Sequence, residues 1–240
     1  MKLCGVVHGF GYGALGSSHH AIEDVAWLRS IPDLPLVVPA DPCETEQVVR
    51  YAAETPGPIY LRIQRTPTRI IHPEGYRFAL GRAVRLLEGA DVTIMACGIT
   101  VADALDAAKD LDHDGIRARV VNMSTIRPID RDEIVDAART TGAIVTVEEH
   151  TIVGGLGSAV AEVLVQTTPV PVAMVGVPGV FAPTGSSEWL RHHFGIDATG
   201  ITQAVRDVLA RRDLRETAVA QLDGETANVD RRFTELLEEH

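Results

Sequence analysis

The sequence of 240 residues contains no uncharged apolar run approaching the roughly eighteen residues a membrane-spanning helix requires, so no membrane-embedded chain is expected. Cysteine is scarce. Cys4, Cys43 and Cys97 are odd in number and spaced for neither a disulfide framework nor a zinc site, which leaves buried structural thiols as the expectation. Positive charge is in deficit: 22 Lys and Arg against 33 Asp and Glu give a net charge of −11, with no basic stripe to attract a polyanion, so nucleic acid is not an expected partner. No G-x-G-x-x-G turn leads directly from a strand into a helix, and a flavin or nicotinamide site loses its usual support. Met1 to Val7 carries one Lys, a very short apolar run and no small-residue cleavage site. It does not read as a secretory signal, and a cytoplasmic location is the expectation.

What is present is an alternation of short apolar runs with helical periodicity. Leu3–Val7, Leu36–Val38 and Ile59–Ile63 read as strands, with helices over Ala21–Ile31 and Thr45–Ala53 between them. Strands alternating with helices imply a parallel sheet. The stretch TPTRIIHP, Thr66 to Pro73, has two prolines and no periodicity, which suits an extended linker. Alternation then resumes: strands at Val92–Ala96, Ala118–Asn122, Ala143–Glu148 and Val172–Val175, with helices at Val101–Leu111, Arg131–Ala138, Gly157–Val165 and Gly200–Ala210. The expected fold is α/β with two parallel-sheet domains, covering 1–66 and 77–212 and joined by a linker at 67–76. The charged segment 213–240 reads as a solvated helical tail or a partner-binding helix.

The segment HGFGYGALGSSHH, His8 to His20, follows the first strand and precedes the first helix, where open parallel sheets place their ligands. Four glycines permit close backbone approach, and Ser17, Ser18, His19 and His20 bring hydroxyls and imidazoles to a helix entrance whose free amides favour an anionic group. Adjacent residues rarely aim at one ligand atom, so one histidine of the pair should face the site. The bland alternative is an ordinary capped loop with exposed histidines. Zinc is disfavoured, because no third ligand stands at a matching spacing.

The run GSSHHAIED, followed by IPDLPLVVPADPCETE and GPIYLRIQR, resembles the latter half of the pyrimidine-binding domain of transketolases, and most closely the separate carboxy-terminal subunit of split bacterial transketolases. EGADVTIMACGITVADALDAA, ARVVNMSTIRPID and AIVTVEEHTIVGGLGSAVAEVL are similar to the family's carboxy-terminal domain. The resemblance implies that His19 is the catalytic histidine that contacts donor and acceptor sugar, and that Arg65 grips the sugar phosphate. It places His8 near a second substrate histidine, with the loop one residue shorter; His20 is a further substrate-binding candidate from the loop itself. A histidine can move a proton to a developing alkoxide, and a guanidinium binds phosphate with paired donors. Leu15 stands where common transketolases have an aspartate for a substrate hydroxyl, which implies an unusual acceptor sugar.

The same resemblance implies thiamine diphosphate and Mg2+, held through a G-D-G motif that this sequence lacks and that an amino-terminal partner subunit would supply. About half of a pyrimidine-binding domain is not in the sequence, including the glutamate that bonds the aminopyrimidine. A source of that half-domain, a sugar phosphate substrate and a hetero-oligomer of heterodimers are therefore expected. The segment VEEHTIVGGLGSAV offers Glu148, Glu149 and His150 as acid–base candidates, but a structural reading is preferred: the families use it near a subunit interface, with Gly154, Gly155 and Gly157 allowing close packing. The leading function is transfer of a two-carbon ketol unit. Alternatives are a deoxyxylulose-phosphate synthase-like or 2-oxoacid dehydrogenase β-type subunit, and a non-catalytic assembly subunit.

Overall fold

The computed structural model describes residues 1–238, with side chains described except at position 216 and from 220 onward. The first unit runs β1 (Lys2–Val6), a 3-10 turn (Gly13–Leu15), α1 (Asp24–Arg29), β2 (Leu36–Val37), α2 (Pro42–Glu54) and β3 (Ile59–Ile63). The second contains β4 (Val84–Leu87), β5 (Val92–Ala96), α3 (Thr100–His113), β6 (Ala118–Asn122), β7 (Thr125–Arg127), α4 (Arg131–Thr141), β8 (Ile144–Thr151), α5 (Leu156–Leu164), β9 (Val172–Val177), α6 (Ser187–His193) and α7 (Ala198–Glu238). The charged segment after Arg212 continues α7 as far as Glu238, and the last two residues of the expected tail, 239 and 240, lie outside the described residues.

Two sheets result, in the orders β1-β3-β2-β7 and β4-β6-β5-β8-β9. Each is parallel except for one antiparallel strand, β7 on β2 and β4 on β6. The mixed α/β fold with two parallel-dominated sheets agrees with the expectation from the alternation. β7 departs from it: this strand follows β6 in the chain but completes the first sheet, and Val38 N–H donates to the Ser124 carbonyl at 2.7 Å beside it. Three residues are too short a run for periodicity to register.

The second sheet is the larger core. β5 and β6 are buried along their whole length, as two-sided coverage by helices demands of central parallel strands. α3 lays Val101, Ala104, Ala107, Ala108 and Leu111 on one face, and Ile201, Val205 and Val208 of α7 join the same cluster. β1, by contrast, alternates between exposed and half-buried residues and pairs with β3 alone. That edge position corrects the expectation for the cysteines. Cys97 is buried, and burial pushes its thiol up, but Cys43 is half-buried and Cys4, on β1, is exposed.

Candidate active site

The carboxyl ends of the two sheets meet. In the second sheet the chain passes from β5 to β6 on one side and returns through α4 to β8 on the other, which makes the β5–β8 boundary the switch point where a crevice opens. His8 fills that crevice from the first unit. Its Nδ1 lies 3.8 Å from Glu149 Oε2 on β8, and its Cε1 lies beside Gly98 at the end of β5. Phe10 follows it into the second unit's core, stacked on Phe194 with centroids 5.7 Å apart. Gly185 N–H donates to the Gly13 carbonyl at 3.2 Å. The glycine-rich loop is thus seated on the second unit by contacts along its own length.

The histidine pair divides. His20 is buried; its Nε2 donates to the Gly13 carbonyl at 3.3 Å, and its ring meets Phe10 edge-on at 5.3 Å, so it closes the loop on itself. His19 is exposed, with Nδ1 3.0 Å from Ser18 Oγ. Tyr12 joins His19 to Arg65: the Tyr12 and His19 rings sit edge to face at 6.4 Å, and Arg65 Nη1 donates to the Tyr12 hydroxyl at 3.2 Å. Arg65 also lines a pocket of about 410 Å3 with Thr45, Gln64, Thr66 and Thr68, at the carboxyl end of β3. His19, Tyr12 and Arg65 therefore share one accessible face, whereas His8 and His20 point inward. Sequence reasoning missed Tyr12; its only signal was an aromatic ring among glycines.

Arg62, two residues before Gln64, is the buried counterpart of Arg65. Its Nε contacts both oxygens of Asp24 at 3.1 and 2.9 Å, and its Nη2 donates to the carbonyls of Ala21 and Glu149. Burial would raise the Asp24 carboxyl, but the Arg62 charge and the bonds from Arg62 and Tyr60 outweigh it and hold Asp24 below the usual carboxylate range. This cluster ties the loop's exit, β3 and β8 together.

The Glu148-Glu149-His150 segment splits by role. Glu148 accepts from the Leu156 and Gly157 amides at 2.7 and 2.9 Å, capping the start of α5. His150 Nδ1 donates to the Thr151 carbonyl at 2.7 Å. Glu149 is different. It is buried, Oε1 has no hydrogen-bond partner, and burial drives its carboxyl up to about 7 despite the nearby Arg62 and Arg191 charges. Gly9, at φ +61°, lies flush against that carboxyl, where any side chain would collide with it. His8 is its counterpart, pushed well below the ordinary imidazole value by burial and by Arg62, with neither ring nitrogen hydrogen-bonded.

Comparison with known proteins bears on the family of the chain and on the order of its domains. The family model described as "Transketolase, pyrimidine binding domain" matches residues 1–70, and "Transketolase, C-terminal domain" matches residues 81–201. The chain is 40% identical over 212 residues to an apulose-4-phosphate transketolase subunit of Phocaeicola vulgatus, covering 88% of this chain and 68% of that protein. It is 39% identical over 215 residues to the 6-deoxy-6-sulfo-D-fructose transketolase subunit SqwH of a Clostridium species, covering 90% and 67%. A solved structure described as a split gene transketolase, inactive beta4 tetramer, superposes with a TM-score of 0.82 at 45% identity, covering 87% of this chain and 67% of that one. With both domain models matched in order, and with transketolase-subunit relatives aligned along most of its length, the chain belongs to the transketolase family.

Proposed function

We propose that the chain is the substrate-side subunit of a thiamine-diphosphate-dependent transketolase, which transfers a two-carbon ketol unit between sugars or sugar phosphates together with an amino-terminal partner subunit. One observation carries the reading: His19, Tyr12 and Arg65 lie in contact on an accessible face at the carboxyl ends of the first sheet. In this arrangement Arg65 binds the phosphate or polar end of the sugar with paired N–H donors, drawing it toward the pocket lined by Thr66 and Thr68. His19, its Nδ1 oriented by Ser18, presents Nε2 to the reacting oxygen and gives or takes the proton there. His20 supports the substrate loop from below, and His8 approaches it from the crevice. Leu15, 56% exposed on the same loop, offers no carboxylate, which supports an acceptor that lacks the usual hydroxyl at that point.

Thiamine diphosphate supplies the chemistry that breaks and remakes the carbon–carbon bond. Among the described residues no three His, Cys, Asp or Glu side chains converge as a metal site, and the sequence has no G-D-G segment. The described residues offer no set suited to Mg2+ and the diphosphate, and the reading assigns both to the partner. No helix among the described residues is long and apolar enough to cross a membrane, and a cytoplasmic heteromer belongs to the same proposal. Assembly is supported by an apolar hollow of about 800 Å3 walled by Trp27, Val153, Val180 and Phe181, an exposed surface of the kind that partners cover.

The test is ketol transfer by the chain combined with an amino-terminal subunit, thiamine diphosphate and Mg2+. His19→Ala should lower turnover by about 10²- to 10⁴-fold while leaving the complex assembled. Unchanged turnover in that variant would favour the non-catalytic assembly subunit instead.

A further inference from the structure

Glu149 and His8 face each other across the β5–β8 crevice, 3.8 Å apart and both buried. Each carries a buried polar atom without a partner: Oε1 of Glu149, and both ring nitrogens of His8. The Glu149 oxygen that faces His8 is Oε2, which also accepts from Gln64, while Oε1 is the unpartnered one. A buried imidazole with two unpaired nitrogens beside a half-satisfied buried carboxyl is costly unless their charge states are coupled, because each forfeits its hydration. The pair also lies directly beneath the loop that carries Tyr12 and His19, since Gly9 rests on the Glu149 carboxyl and Gln64, next to Arg65, donates to Glu149 Oε2 at 3.5 Å. Glu149 thus touches both strand ends that present the accessible cluster, without being part of it.

We infer that Glu149 is a positioning residue for the substrate loop, acting through His8: its protonation state selects the His8 tautomer and so decides whether His8 Nε2 donates or accepts. The inference rests on reading this loop as the substrate site. With the carboxyl neutral, its O–H faces His8 Nδ1, which stays a lone pair, and the imidazole proton sits on Nε2. With the carboxylate ionised, the proton is drawn to Nδ1 and Nε2 becomes the acceptor. Only a tautomeric proton shift within the neutral ring is required, together with exchange of the carboxyl proton with solvent. The charged and titratable groups around the pair are Arg62 from β3, Arg191 from α6 and Asp103 from α3 near Glu149, and Arg62, Asp24 and His150 near His8. The depressed His8 value and the elevated Glu149 value near 7 agree with a neutral ring beside a carboxyl that ionises in the physiological range.

Nitrogen-15 spectra of the full chain labelled at histidine report the tautomer without reference to activity, and His8→Asn identifies the His8 signals by their loss. The expected result is a change of His8 tautomer with a midpoint near pH 7 and no gain of a second ring proton. In Glu149→Gln, which keeps the shape but cannot ionise, that change should vanish, and in Glu149→Asp it should reappear at a different midpoint. In the assembled complex, Glu149→Gln should remove an inflection near pH 7 from kcat while altering KM less than threefold. A His8 tautomer that is constant across pH in the native chain, or a transition that survives in Glu149→Gln, overturns the inference; so does an unchanged kcat profile in an active complex. If the unsubstituted complex shows no ketol transfer, the functional reading fails, and the spectra still decide the coupling of the pair.

Discussion

The Glu149 carboxyl, with an ordinary value of 4.5, is lifted by burial to about 7, so the folded chain binds this proton more tightly than the unfolded chain does. Between those two values stability therefore falls as pH rises, and the full penalty is present above pH 7. A shift of that size corresponds to roughly 3 kcal/mol. Glu149→Gln should accordingly stabilise the fold by about 2 to 3 kcal/mol at pH 8 and by almost nothing at pH 4.5, as measured by urea denaturation at the two values. An equal gain at both would assign the effect to packing and remove ionisation as its cause. That Glu149 holds such a proton was not legible in VEEHTIVGGLGSAV, where three polar side chains in a row look alike. Their environments differ: Glu148 is used by the amides of α5 and His150 by a carbonyl, leaving Glu149 alone to face the loop.

At the level of the element, α2 and the segment before β4 form a single clasp. Asp41 caps α2 by accepting from the Glu44 amide at 2.8 Å, with Pro42 in the first turn, and the same carboxylate accepts from the Ile71 and His72 amides at 2.8 and 2.9 Å. Glu44 reaches back to the Ala40 amide and takes further bonds from Tyr76 and from Asn122 on β6, while His72 stacks on Tyr76 at 4.0 Å. Burial alone would raise Asp41, but this set of donors holds it below its ordinary value, so its contribution is present at neutral pH and is lost as pH falls through the folded value. Removing the cap and stranding two further amides should cost about 3 kcal/mol in Asp41→Ala, together with faster proteolytic cleavage between Thr66 and Phe78. Native cleavage resistance in that variant would show that the clasp does not hold the segment. The body of the helix was readable from the apolar positions between Thr45 and Ala53, but its first turn from Pro42 and the Asp41 cap were not. Nor was the clasp, because prolines and missing periodicity mark a linker whether or not its amides find a buried acceptor.

For the whole molecule, the hollow formed by Trp27, 73% exposed, and Phe181, 84% exposed, is the feature that most needs a covering surface. Phe181→Asp should leave the circular dichroism and melting of the isolated chain unchanged but lower the mass of its assemblies in analytical ultracentrifugation, alone or with the partner subunit. An unaltered mass would move the assembly surface elsewhere. The alternation of strands and helices, the parallel sheets and the family could all be read along the chain, because apolar periodicity, caps and ordered motifs are local and survive without knowledge of packing. The loop His8 to His20 was marked in the same way, since glycines between a strand and a helix announce a site wherever they are seated. Folding alone settles that His19 faces outward while His20 closes the loop, that β7 completes the first sheet, and that His8 enters the second unit's crevice to meet Glu149. Each of these depends on contacts between distant parts of the chain, as between Gln64 and Glu149 at 85 residues' separation, and burial by a remote element leaves no periodic trace in either segment.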